Sequence, residues 1–396
     1  MQRIVHWFTA CALLLAGSGV AWADDTLTLT AEQRLRTDSN LFRQPTAPPS
    51  GPDDAGKSDV ISTSILGVEL DKRYALQRVE LDAQVAAQRY RRFGYLDHDT
   101  FNYRAAWHWS LTPRLHGLLG RERKEFLNDF ADFRSRTRNM RMEHITRAEG
   151  EAELGRDWHL LAALGHVKRT NDQPVEQEGD FALRNTSVGL RRSSPFGSWI
   201  SYRLRKGHGD YLNRVAADAA PPVSFDELEH ELRVSWPMTG KTTLSGRVAH
   251  LERRHAGQPA RDYGGVVGSI VLNWDITSKL GLQLGADRNI FSYQTAGSSY
   301  TVARSLTLTP YWQIGPRTRL QLNYTHSAQD FGGALSADAI DAGRRDTTRS
   351  ATLALQWRPL HALSLTAGVH QLRRGSNVAA YRYDSHGAEL SAKLDF

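Results

Sequence analysis

The stretch GAELSAKLDF, residues 387–396, sets Ala388, Leu390, Ala392, Leu394 and Phe396 against Glu389, Ser391, Lys393 and Asp395. A period of two belongs to a strand with one apolar and one charged face. A soluble edge strand would carry the same pattern, so the fold depends on how widely it recurs.

It recurs along the whole chain. Val79, Leu81, Ala83 and Val85 alternate with Arg78, Glu80, Asp82 and Gln84. Phe101, Tyr103, Ala105, Trp107 and Trp109 alternate with Asn102, Arg104, Ala106 and His108, and Leu228, Leu232, Val234 and Trp236 with Glu227, Glu229, Glu231 and Arg233. Short turn signals centred near residues 71, 113, 156, 196, 238, 277, 316 and 359 punctuate these stretches. Two long strands and one long polar loop fit between successive turns. A β-propeller shares a period of about forty residues, but its blades need four short strands each. Eight turns join sixteen strands, and an opening strand (Leu27 to Leu35) and a closing strand (Ala388 to Phe396) make eighteen. Sixteen is the nearest alternative count. The stretch Arg121 to Arg138 alternates poorly and reads as a long loop with some helical potential.

The chain is 396 residues long, 40% hydrophobic, and has a mean hydropathy of −0.49. No continuous apolar stretch follows residue 23, whereas a membrane helix needs about 20 such residues. Residues 1–23 read as a secretory signal peptide: Arg3 supplies the positive start, Trp7 to Leu15 the apolar centre, and Ala21-Trp22-Ala23 the cleavage site. Residues 24–396 are then one domain. Cys11, the only cysteine, falls in the signal, so the mature chain uses neither disulfides nor thiolate ligands.

Eight tryptophans remain after the signal: Trp107, Trp109, Trp158, Trp199, Trp236, Trp274, Trp312 and Trp357. Each lies near one of the short turns. Indole prefers the headgroup level, so a ring of Trp at one height marks a membrane interface. The expectation is an all-β transmembrane antiparallel up-and-down barrel in a bacterial outer membrane, with short periplasmic turns and long extracellular loops. Lipid then faces the apolar set, and closure leaves no backbone edge in hydrocarbon. Phe396 reads as the terminal signal for the barrel-assembly machinery.

The polar set should face the interior. Candidate lumen-binding residues are Arg34, Arg36, Arg78, Arg104, Arg141, Arg147, Arg203, Arg205, Arg233, Asn273, Arg319 and Asn323. Mixed with Glu80, Asp82 and the glutamates of 149–153 and 227–231, they either form ion ladders that stiffen the wall or bind a hydroxylated or anionic solute weakly and repeatedly. Of 50 basic residues only eight are Lys, so planar guanidinium donors dominate. The aromatics Phe42, Tyr211, Phe291 and Tyr293 could stack on sugars or pack the loops. No hydrolase, zinc, phosphate-loop or calcium motif is present, the histidines are scattered, and Asp97-His98-Asp99 is a weak metal pattern. No catalysis, metal, cofactor or nucleic acid is expected.

Several segments carry a resemblance: Asp38 to Arg43 (DSNLFR), Phe101 to Leu118, Gly207 to Arg214 (GHGDYLNR), Arg261 to Gly268 (RDYGGVVG), Ser298 to Val302 (SSYTV) and Arg344 to Ser350 (RRDTTRS). Together they resemble the EpsL-type exopolysaccharide biosynthesis outer-membrane proteins associated with exosortase B/PEP-CTERM gene clusters. The resemblance spans the mature chain and implies a barrel that passes, or helps to pass, a polysaccharide outward, with other synthesis and export proteins as partners. It supplies no active-site residues. The alternatives are a general diffusion or sugar-uptake porin, a barrel enzyme modifying polysaccharide or lipid, and a non-conducting scaffold.

Overall fold

The computed structural model describes residues 27–45, 56–131, 136–173, 179–214, 223–293, 298–334, 339 and 342–396. The expected signal peptide (residues 1–23) and much of the first long loop lie outside the described residues. Eighteen strands make up the chain: β1 (Leu27–Asp38), β2 (Asp59–Tyr74), β3 (Gln77–Tyr90), β4 (His98–Thr112), β5 (Leu115–Leu127) and β6 (Met140–Glu153) come first. Next are β7 (Trp158–Asn171), β8 (Phe181–Ser193), β9 (Trp199–Tyr211), β10 (Ser224–Thr239), β11 (Thr242–His255) and β12 (Tyr263–Trp274). The last are β13 (Leu280–Ser292), β14 (Tyr300–Gly315), β15 (Thr318–Gly332), β16 (Arg345–Leu360), β17 (Leu363–Ser376) and β18 (Tyr383–Asp395). Three short 3₁₀ turns (Gly94–Leu96, Pro259–Arg261 and Ala379–Tyr381) are the only helical elements among the described residues.

Every strand pairs antiparallel with its sequence neighbours, and β1 closes the ring on β18 through Ala31↔Leu394, Arg34↔Ser391 and Leu35↔Leu390. Phe396 extends this seam: its N–H donates to the Leu29 carbonyl at 2.8 Å, and the Leu29 N–H returns a bond at 3.0 Å. Closure gives each central backbone group a partner, as hydrocarbon requires.

Register sorts the faces. Leu66 of β2 sits opposite Ala31 and Val85, and the row continues through Phe101. These side chains point outward, with Leu66, Val85 and Phe101 well exposed. Leu306, Trp312, Leu353, Leu355, Trp357, Leu390 and Phe396 likewise form an exposed apolar surface. A soluble protein rarely leaves so large an apolar surface bare, whereas a lipid-facing belt must. The chain is a membrane-spanning barrel.

Three details differ from the sequence expectation. β5 runs on through Arg121 to Leu127, so a strand occupies the first part of the expected loop. Its outward residues Arg121, Arg123 and Glu125 are charged because the strand rises past the apolar belt, which removes the alternation. β2 likewise continues through the expected turn at Leu70–Lys72 and turns at Ala75-Leu76. Finally, Trp199 pairs with Ser193 of β8 and Ser235 of β10. That places it on the inward face with Ser201 and Arg203, and not at the lipid interface. Distance from a turn sets height along a strand but not face.

Trp109 shows how indole and backbone fit at the belt. It pairs with Gly117 of β5, which pairs in turn with Gly150 of β6. A Cβ on Gly117 would stand 2.4 Å from the Trp109 Cζ2 atom and 2.0 Å from the Glu149 carbonyl oxygen. Only glycine lets the ring lie against the neighbouring strand. The Gly117→Val variant should lower unfolding free energy by about 1–3 kcal/mol, as overpacking of a filled site does. Urea titration of the barrel in lipid vesicles checks this.

Candidate functional site: a basic arc inside the barrel

The candidate lumen residues all fall on the inward face. Arg34 and Arg36 lie on β1, Arg78 on β3, Arg104 on β4, Arg141 and Arg147 on β6, Arg203 and Arg205 on β9, and Arg233 on β10. Asn273 lies on β12, and Arg319 and Asn323 on β15. They do not form one cluster. The structure gathers Arg147, Arg203, Arg205 and Arg233 around a cavity of about 180 Å³ walled by β6 to β10, with Glu149, Glu229 and Glu231. A larger cavity of about 550 Å³ adjoins it toward the periplasmic turns and shares Glu149, Arg203 and Arg233. Trp199, His108, His116, Glu151 and Arg191 line this second space.

The inward glutamates of β10 organise the arc. Glu229 accepts from Arg205 of β9 and, at 2.5 Å, from Arg247 of β11. Glu231 accepts from Arg247 Nε at 2.5 Å and lies 2.7 Å from Arg233 Nε. Glu227 takes both Nη2 (2.5 Å) and Nε (2.9 Å) of Arg253. All three carboxylates are buried, so paired, planar donors are what make their ionised form tolerable. A second node forms on β6, where Glu151 accepts from Arg191 and lies 2.9 Å from His159 Nδ1.

Two guanidiniums stand apart. Arg147 and Arg203 have no carboxylate within 4.0 Å among the described residues. Inward glycines make room for them: a Cβ on Gly120 would lie 3.0 Å from Arg147 Nε, and one on Gly189 would lie 3.2 Å from Arg203 Cβ. On the other side of the barrel, Arg319 lies over the Tyr311 ring at 3.9 Å and Arg34 pairs with Glu32 at 2.8 Å.

Sequence reasoning missed Arg247, Arg191 and Arg253. Arg247 follows Ser245 on a strand whose other face is Leu244, Gly246 and Val248, so alternation was the available signal. Its double link to Glu229 and Glu231 depends on register, which no single strand reveals.

Above the arc, loops fold into the mouth. Leu41 and Phe42, just after β1, pack with the inward residues Ile61 and Tyr90 and with Leu96 and Phe130. Asp38 holds this fold: it accepts from Arg43 at 2.9 Å and from the Ser385 hydroxyl at 2.6 Å. Burial alone would lower the Arg43 pKa, but the charges of Asp129 and Asp38 outweigh it and raise it. Burial pushes the Asp180 carboxyl up, against hydrogen bonds from Asn171 and Asn213. Tyr211 packs against Phe225 and stacks on His255, while Tyr293 meets Phe331 edge to face. Phe42, Tyr211 and Tyr293 therefore pack the loops, whereas Phe291 is exposed.

Among the known structures that share the barrel over nearly its full length are three from Pseudomonas species. Pseudomonas aeruginosa OpdK, in a complex with vanillate, is 11% identical, with 93% of this chain and 99% of that chain covered and a TM-score of 0.51. Pseudomonas aeruginosa OccK2 (OpdF), in a complex with glucuronate, is 13% identical over 94% and 96%, with a TM-score of 0.50. A BenF-like porin from Pseudomonas fluorescens Pf-5 is 10% identical over 94% and 99%, with a TM-score of 0.51. At such identities the likeness is one of fold, and it agrees with a closed eighteen-strand barrel of the outer-membrane type. No family model and no curated protein matches the chain. The exopolysaccharide conduit drawn from the sequence resemblance is thereby corrected: the fold is that of solved porins, which suits the diffusion or uptake alternative better.

Two substitutions probe these layers. Glu229→Gln strands Arg205 and Arg247 around a neutral group and should cost about 1–3 kcal/mol of stability, read by urea titration in vesicles. Phe42→Ala removes an aromatic anchor of the inward loop and should raise single-channel conductance in planar bilayers.

Proposed function

We propose that the barrel is a passive outer-membrane porin for small hydrophilic solutes, with a preference for those bearing a carboxylate. The observation that carries this reading is the pair Arg147 and Arg203, which face one cavity and have no carboxylate within 4.0 Å among the described residues. A guanidinium offers a planar fork of donors that matches a carboxylate in two-point contact. Glu149 lines the same cavity, so an entering anion meets two cations and one anion, a net attraction of modest size. Modest is what permeation requires, because a solute must enter favourably and still leave.

The surrounding pairs support the same reading. Arg205, Arg247, Arg233 and Arg253 are held by glutamates and form a stiff, nearly neutral wall. Within this arc, that leaves Arg147 and Arg203 as the guanidiniums available to exchange partners with a passing solute. The hydroxylated and amide side chains of β12 to β16, such as Asn273, Thr309, Asn323 and Thr352, offer neutral hydrogen bonds on the facing wall. Vanillate and glucuronate, named with OpdK and OccK2, are both carboxylates. No step of the transport needs catalysis.

Planar bilayers under a potassium chloride gradient test this directly. The wild type should conduct with anion selectivity, and glucuronate should reduce the current. Arg147→Gln combined with Arg203→Gln should move the reversal potential toward cations and weaken the glucuronate block about tenfold, equivalent to about 1.4 kcal/mol. Cation selectivity in the wild type, or a block indifferent to both substitutions, rejects the reading.

A further inference from the structure

The outer wall carries a basic patch that neither the pore nor the closure of the sheet uses. Register builds it from two adjoining rows. In the lower row Arg121 of β5 pairs with Thr146, Thr146 with His166, and His166 with Arg184 of β8. In the upper row Arg123 pairs with His144, and His144 with Lys168. Residues paired across strands share a face, and this face is the outward one, since one pair below lie Leu119, Ala148 and Leu164. Leu119 and Leu164 are among the well-exposed apolar residues of the belt.

Height and sign then identify the partner. The Trp and short-turn end of the barrel marks one interface, so the patch lies toward the other, where the long loops emerge. It spans four strands, about 15 Å at the usual strand spacing. Arg121, Lys168 and Arg184 have no carboxylate within 4.0 Å among the described residues. Arg123 of the upper row is already paired with Glu125 at 3.0 Å, as Arg254 is with Glu252 at 3.1 Å and Arg373 with Asp384 at 3.4 Å elsewhere on the outer wall. Arg121, Lys168 and Arg184 are therefore the cations that lack such a partner here. A cluster of unneutralised cations beside hydrocarbon is unfavourable without an anion to meet it.

We propose that this patch binds the phosphate groups of a phosphorylated lipid in the outer leaflet. Arg121 and Arg184 supply forked donors and Lys168 a compact charge, the combination that suits phosphate oxygens. Just below, the short side chain of Ala148 stands between the larger Leu119 and Leu164, a step in the apolar surface against which an acyl chain would lie. The Trp109 indole against Gly117 and Gly150 bounds the step further down. Charge above and a stepped apolar surface beneath match the two halves of such a lipid. A neutral-headgroup lipid would satisfy only the lower half.

The test uses the full-length barrel purified in detergent, with native mass spectrometry reading lipid retention. Lipid A with two phosphates is compared with the same lipid after removal of its phosphates. The wild type should retain the phosphorylated form at least tenfold better, and the variant carrying Arg121→Gln, Lys168→Gln and Arg184→Gln should lose that preference. Ion selectivity of the pore should be the same in both, which separates this site from the lumen. Equal retention of the two lipids by the wild type overturns the proposal, whether or not the variant folds. So does a folded variant that keeps the preference, or one whose only change is dissociation of a dimer, which would make the patch a contact between two copies.

Discussion

Closure of the backbone ring is the constraint from which the rest follows. In hydrocarbon an unpaired N–H or C=O has no water to fall back on, so a sheet that crosses a membrane must have no edge. Here the seam lies between β1 and β18 and is continued by the reciprocal bonds between Leu29 and Phe396. Once the ring is closed, the pleat divides every strand into a lipid side and a lumen side. The composition of each side is then dictated by its solvent. The moderate hydrophobicity of the chain is a consequence: half of each spanning strand must be polar for the other half to be apolar.

That division was legible in the residues because it has a period. Alternation placed Arg34, Arg147, Arg203 and Arg319 inward from single strands alone, and long loops alternating with short turns gave the strand count. The limits of the reading are physical as well. Where β5 passes the apolar belt, its outer face meets polar surroundings in place of hydrocarbon, so Arg121 and Arg123 break the pattern although the strand continues. Trp199 sits at the right height for an interface but on the wrong face, since one position of offset at a tight turn inverts a side chain. Partner choice was hidden too. Arg247 bridges Glu229 and Glu231 from the next strand, and only register decides which of many arginines reaches which glutamate.

Function was the least legible layer. Motif-like segments at Asp38 to Arg43 and Arg344 to Ser350 suggested a polysaccharide role. In the structure the same segments make the mouth. Asp38 and Arg43 clamp the first loop, and Arg344 is bound to Asp346 with its guanidinium 3.4 Å from the Tyr381 ring centre and 4.2 Å from that of Phe331. Their distinctive sequence reflects a buried charge that needs its specific partners. Such segments identify how a loop is anchored and carry no information about what passes beneath it.

The prevalence of arginine over lysine takes on a structural meaning in this setting. A lysine on β11 would place one compact charge near Glu229 or Glu231, and its flexible stem would leave the choice open. Arg247 instead satisfies both with different nitrogens of one rigid plane. Linked in this way through Arg205, Arg247, Arg233 and Arg253, the glutamates of β10 cannot swing toward a solute. The wall on that side therefore presents a fixed charge pattern. On the proposed reading, selectivity would be a property of what the ion ladder omits, with Arg147 and Arg203 as the guanidiniums of this arc that a passing solute meets.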